Sequence, residues 1–101
     1  MIRYVEEQNG IASVVHRDGT RTQFPYSSKE DLIGWDEEEI CYATQLQEAK
    51  FFSATGECID TYRLSSRATI LSFMSSTLLF EEDGVRYAYN RLDGQTRQAN
   101  R

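Results

Sequence analysis

The feature that most constrains this chain is its punctuation. Asn9-Gly10, Asp18-Gly19, Asp83-Gly84 and Asp93-Gly94 are pairs that reach positive φ at little cost and so close tight hairpins between strands. Tyr4-Val5-Glu6 before the first pair and Ile11-Ala12-Ser13-Val14-Val15 after it read as two strands. Asp18-Gly19 leads into a third, Arg21 to Tyr26, where Pro25 removes a backbone donor and marks a strand end or an edge. Residues 2–25 therefore read as a three-stranded meander.

Beyond Gly56, turn-forming pairs recur roughly every ten residues, a rhythm that suits a further meander: Thr55-Gly56, Ser65-Ser66, Ser75-Ser76, Asp83-Gly84 and Asp93-Gly94. Thr77 to Glu82 and Val85 to Asn90 form its clearest hairpin, with Val85, Tyr87 and Tyr89 alternating with polar or small residues. Arg67 to Met74 fits either period and leans to strand. The flanking residues of the turn pairs do not match one another, so no sequence repeat emerges. Gly94 to Arg101 is polar, lacks an apolar anchor and reads as a mobile tail.

The middle of the chain breaks this rhythm. Asp36 followed by Glu39 is a capping-box-like pair, Glu37 and Glu38 favour the positive end of a helix, and Trp35 with Ile40 matches a hydrophobic staple. Ile40, Ala43, Leu46 and Phe52 trace a mostly apolar stripe and Gly56 offers a stop. These signals predict a helix over about 37–53, with a short extra turn near Ser28 to Ile33. A competing reading places Ile40, Tyr42, Thr44 and Leu46 on one face of a strand, and the capping signals favour the helix. The expected fold is α+β, an antiparallel meander with one principal helix in a compact domain over 1–93 and a tail over 94–101. The alternative is a mostly-β small barrel.

Chemical motifs are scarce. His16 lies beside Arg17 near a strand end, and Cys41 and Cys58 have no second Cys or His at metal-ligand spacing. They read as reduced thiols, and neither a catalytic group nor a metal ligand is assigned. The serine pairs lack a Gly-x-Ser-x-Gly elbow. The Asp36–Glu39 run is consecutive, unlike the alternating ligands of a calcium loop. No glycine-rich phosphate cradle exists, and no cofactor is expected. Arg86, Arg91, Arg97 and Arg101 near Tyr87 and Tyr89 are a weak nucleic-acid signal, set against a net charge of −5. The N-terminus turns acidic at once, which argues against a secretory signal. No apolar run approaches the roughly 20 residues of a membrane span. A cytoplasmic protein is expected, with no membrane partner.

Charge distribution says more than its sum. Residues 1–50 hold 10 acids and 5 bases, residues 51–101 hold 6 of each, and no base falls between Lys29 and Lys50. Glu30, Asp31, Trp35, Asp36, Glu37 and Glu38 thus have the ingredients of an interface: carboxylates that steer a basic partner and an aromatic anchor. In size, acidity and lack of motifs the chain resembles phage-encoded inhibitors of bacterial defence, anti-CRISPR proteins among them, and toxin-neutralising immunity proteins. The resemblance is compositional and no motif carries it. It implies a non-enzymatic inhibitor that occludes a basic, nucleic-acid-binding surface of a larger protein or ribonucleoprotein complex. The alternative is a β-rich module holding a small molecule or nucleotide against Tyr62, Tyr87 and Tyr89. The strand next to Pro25 and the Val85–Tyr89 strand offer routes to a homodimer by sheet extension.

Overall fold

The turn pairs do set the architecture. Asn9 and Gly10 take φ values of 52° and 80°, Ser75 and Ser76 50° and 58°, and Asp83 and Gly84 53° and 80°; positive φ at both central residues is what a two-residue hairpin requires. The computed structural model describes residues 1–26 and 30–99 and is all-β. Its first sheet is a meander of β1 (Ile2–Gln8), β2 (Ile11–His16) and β3 (Arg21–Pro25). The second runs β4 (Asp31–Trp35), β5 (Glu39–Ala43), β6 (Glu48–Ser53) and β7 (Cys58–Arg63). The third runs β8 (Ala68–Met74), β9 (Thr77–Glu82), β10 (Val85–Asn90) and β11 (Gln95–Gln98). Every pairing is antiparallel between sequence neighbours.

The three sheets stack, with the second in the middle. Ile40 and Tyr42 of β5 face the first sheet, in a cluster with Ile2, Val5, Val14 and Phe24. Cys41 of β5 and Ala49 and Phe51 of β6 face the third sheet, against Phe73, Leu78, Phe80 and Tyr89. Glu39, Ile40, Cys41 and Tyr42 are consequently all buried. Fully burying a side chain such as Ile40 or Phe51 contributes roughly 1.5–3 kcal/mol. The first strands of the sheets converge, β4 touching both β8 and β1, while β3, β7 and β11 form the outer edges.

The expected α+β class is thereby overturned: the segment 37–53 forms β5, a turn and β6, with no helix. The cap at Asp36 exists, but it caps a hairpin. Asp36 Oδ1 accepts from the Glu38 and Glu39 amides at 2.9 and 2.7 Å, and the Asp36 amide donates to the Glu39 carbonyl at 2.9 Å, closing the β4–β5 turn. Burial decides the conformation of the residues after that cap. A middle sheet needs both faces apolar, so Ile40, Cys41 and Tyr42 give no amphipathic period to read. The β-rich alternative fits better, as three open sheets rather than a closed barrel.

Other expectations divide. The meander over 2–25 and the hairpin about Asp83-Gly84 stand as read, and 68–74 is the strand β8. Pro25 ends β3 on an outer edge. Gln95–Gln98, expected to be tail, pairs with β10, which makes Val85–Asn90 an interior strand and closes that route to a dimer. Of the extra turn near Ser28 to Ile33, Ser28 and Lys29 lie outside the described residues and Asp31–Ile33 belongs to β4.

Two glycines mark where layers approach most closely. A Cβ on Gly34 would sit 2.9 Å from the Phe73 carbonyl oxygen, and one on Gly56, at φ 89°, would meet the Phe24 ring at 2.8 Å. Gly34→Ala must push β4 away from β8, a backbone collision that cannot be relieved by a rotamer change. Overpacking of this kind destabilises by about 1–3 kcal/mol, and a urea melt of the variant is expected to show its midpoint lowered accordingly.

Candidate functional site

Between the second and third sheets lies a polar clasp. Arg91, just beyond β10, donates through Nε and Nη2 to both oxygens of Glu39 at 2.9 and 3.0 Å, and through Nη1 to Asp60 Oδ2 at 3.5 Å. The Tyr89 hydroxyl donates to the same Asp60 oxygen at 2.7 Å. The guanidinium also lies over the Phe51 ring, 5.9 Å from its centroid. Hydrogen bonds to Glu39 are the main reason the Arg91 pKa is raised. Burial, then the bond to Asp60, pushes the Tyr89 phenol up to about 12. Beside the clasp, Asp36 Oδ2 accepts from the Ser76 amide at 2.6 Å, and the Arg91 amide donates to the Ser76 carbonyl at 2.8 Å. The strained Ser75-Ser76 turn is thus gripped from two elements.

This clasp changes the meaning of the acidic segment. Asp36 is committed to the two turns. Glu37 accepts from Arg17 at 3.4 Å, and its carbonyl receives the Ile2 amide at 2.8 Å. Glu30 lies 3.4 Å from Lys50. Trp35 is half-buried against the apolar cluster between the first two sheets. Asp31 and Glu38 are exposed. The sequence gap between Lys29 and Lys50 is therefore not a gap in space, because Arg17 and Lys50 fold back onto it.

The tyrosines, in contrast, are brought together. Tyr62 of β7 stacks on Tyr89 at 4.0 Å between centroids and tilts against Phe80 at 5.8 Å; Phe80 in turn stacks on Tyr87 at 5.5 Å. The Tyr62 hydroxyl meets Thr96 Oγ1 of β11 at 2.8 Å. Around them is a cleft of about 230 Å³ between β7 and the third sheet, with Tyr62, Phe80 and Tyr87 as walls. Its rim carries Arg63, which bonds Glu48 at 2.9 Å, and Ser65, whose hydroxyl donates to Glu82 at 2.8 Å. Tyr89, the third expected tyrosine, backs Tyr62 from the core side. Two hollows on the first sheet, one beside Arg3 and Arg17 and one over Gln8, Ile11 and Gln23, have no aromatic wall among the described residues.

The other candidates have separate partners. His16 Nε2 shares a hydrogen bond with Thr22 Oγ1 at 2.9 Å. Burial pushes the Cys41 thiol up to about 12, and exposed Cys58 contacts the Asp60 carbonyl at 3.7 Å. Tyr42, wholly buried, has a hydroxyl with no hydrogen-bond partner among the described residues; burial, then nearby Glu7, raises its pKa. Among the described residues no three His, Cys, Asp or Glu side chains gather to hold a metal. Of the arginines noted beside the tyrosines, Arg91 is locked in the clasp, Arg97 pairs with Asp93 at 2.9 Å, and Arg101 lies outside the described residues.

Phe80 and the clasp role of Arg91 went unassigned in the sequence, where Arg91 was read only as part of a weak nucleic-acid signal, although Phe80 had a signal. A two-residue turn at Asp83-Gly84 fixes Phe80 opposite Tyr87. Arg91 had none, since its partners Glu39 and Asp60 come from another sheet. Compared with protein-family models and with curated proteins, the chain matches none of either. Among the described residues no helix is long and apolar enough to cross a membrane.

Removing one partner of a buried ion pair leaves the other charge stranded, a loss of about 3–5 kcal/mol. Arg91→Ala is accordingly expected to destabilise far more than Arg63→Ala, whose side chain is 81% exposed. Chemical denaturation of the two variants side by side checks this, and equal losses would contradict the clasp.

Proposed function

We propose that the protein is a non-enzymatic binding module whose contact surface is the aromatic cleft between the second and third sheets. The observation that carries this reading is the convergence of Tyr62, Phe80 and Tyr87, from two sheets, around a cleft of about 230 Å³. Its lining is shared about equally between aromatic or aliphatic walls and polar side chains, and a binding site combines apolar walls with polar groups that fix orientation. The volume is smaller than the roughly 300–1,000 Å³ of drug-sized pockets, so it suits one ring or one large side chain. Two of the cleft's hydroxyls are already engaged, Ser65 with Glu82 and Tyr62 with Thr96, which favours holding a ligand over attacking it. A reducing, cytoplasmic setting belongs to this reading and accords with two free cysteines.

A second reading keeps the acidic inhibitor that occludes a basic, nucleic-acid-binding surface. It is supported by the exposure of Asp31 and Glu38 and weakened by the ion pairs at Glu30 and Glu37.

Indole titration followed by amide and side-chain NMR tests the first reading. Saturable shifts are expected at Tyr62, Tyr87 and Thr96, with affinity lowered up to about tenfold in Tyr87→Ala, the scale of one lost aromatic stack. Shifts scattered over the surface, or none, would refute it. Reversing Asp31 and Glu38 to Lys separates the readings, because it leaves the indole shifts in place while abolishing any salt-sensitive capture of a basic protein.

A further inference from the structure

We infer that the ligand of this cleft is an extended peptide that adds as a fifth strand to the open edge of β11 and lowers one aromatic side chain into the cleft. The inference rests on the cleft being a binding site and adds the class of partner.

A space for one ring cannot by itself hold a partner firmly, so further contacts must come from whatever carries the ring. The hydrogen-bond register of β11 supplies them. The Ala99 amide donates to the Arg86 carbonyl at 2.8 Å, which makes Arg86 and Ala99 a hydrogen-bonded pair. By the alternation of an antiparallel ladder, Ala88 with Arg97 and Asn90 with Gln95 are hydrogen-bonded pairs too. Tyr87 with Gln98 and Tyr89 with Thr96 are then the intervening pairs. The N–H and C=O groups of Thr96 and Gln98 therefore point away from β10, to an edge that no other strand of the described residues occupies.

The same two residues carry their side chains on the cleft face, because cross-strand partners share a face and theirs are Tyr89 and Tyr87. A peptide residue paired with Gln98 extends the row Ile70, Phe80, Tyr87, Gln98, and one paired with Thr96 extends the row Phe73, Leu78, Tyr89, Thr96. Hydrogen bonding and the cleft face thus fall on the same alternate peptide residues. Strand addition takes its affinity from main-chain bonds and its specificity from pockets for alternate side chains.

The other outer edges are guarded. β3 ends in Pro25. On β7 the register is broken by a bulge near Phe51–Phe52, and the Thr61 amide is taken by Asp60 Oδ1 at 2.9 Å. In β11 there is neither proline nor lysine, and Arg97, its one charge, is turned to the opposite face and paired with Asp93. Pro, Lys, bulges and shortness are the usual guards of an edge, and of these β11, at four residues, has only the last.

The probe is the acetylated, amidated peptide Thr-Thr-Trp-Thr-Tyr-Thr-Thr, compared with the same peptide N-methylated on the Trp and Tyr nitrogens. Full-length protein is titrated by NMR with each peptide and with indole, as wild type and as Gln98→Pro, which removes an outward N–H and no ladder bond. The expected result is saturable binding of the first peptide with slowed exchange at the Thr96 and Gln98 amides, weakened by about tenfold or more by N-methylation and by Gln98→Pro. Equal binding of the N-methylated peptide overturns strand addition and leaves the cleft standing. No peptide binding with indole shifts intact overturns the peptide partner alone, and loss of both overturns the cleft reading with it.

Discussion

The structure depends on one strand being buried from both sides. β5 contributes Ile40 and Tyr42 to one apolar cluster and Cys41 to the other, and all three are fully inaccessible to solvent. Neither the first nor the third sheet covers its inner face without the second between them. Three short meanders therefore share one interior, and the aromatic contacts of both clusters, such as Phe24 on Phe52 and Phe51 on Phe73, are anchored to the same middle layer.

Polar groups then fix how the layers sit. Glu39, on β5, is the one charged residue among the described residues buried to this degree, and it is satisfied by both forks of Arg91 from the third sheet. A bidentate pair of this kind adds orientation more than net stability, since desolvation offsets much of the attraction. Asp36 binds the second sheet's turn to the Ser75-Ser76 turn of the third. Asp36, Arg91 and the close approach at Gly34 fix the two sheets against each other, and the aromatic cleft lies between β7 and the third sheet. The same geometry leaves β11 outermost, its unpaired backbone beside the cleft.

The sequence made hairpins legible because their determinants are local. Asn9-Gly10 and Asp83-Gly84 need only their own backbone preferences, and each lies where it was read. The middle was illegible because its determinants are not local. Asp36 does cap, but whether a helix or a strand comes after it depends on two sheets formed by residues far away, and a strand apolar on both faces loses its period of two. The site divides in the same way. Tyr62, Tyr87 and Tyr89 could be named as ligand candidates from their side chains. The acidic run looked unopposed because Arg17, Lys50 and Arg91 reach it only through the fold. The polar residues of β11 looked like tail because a strand exposed throughout carries no apolar mark.

The most direct test of this account is amide hydrogen exchange across the whole chain. If β5 is the shared interior, the amides of Ile40, Cys41 and Tyr42 exchange only through global unfolding and are the slowest in the protein. Amides of β2 or β9 that remain protected after those of β5 have exchanged would contradict it, showing outer sheets that hold together without the middle one.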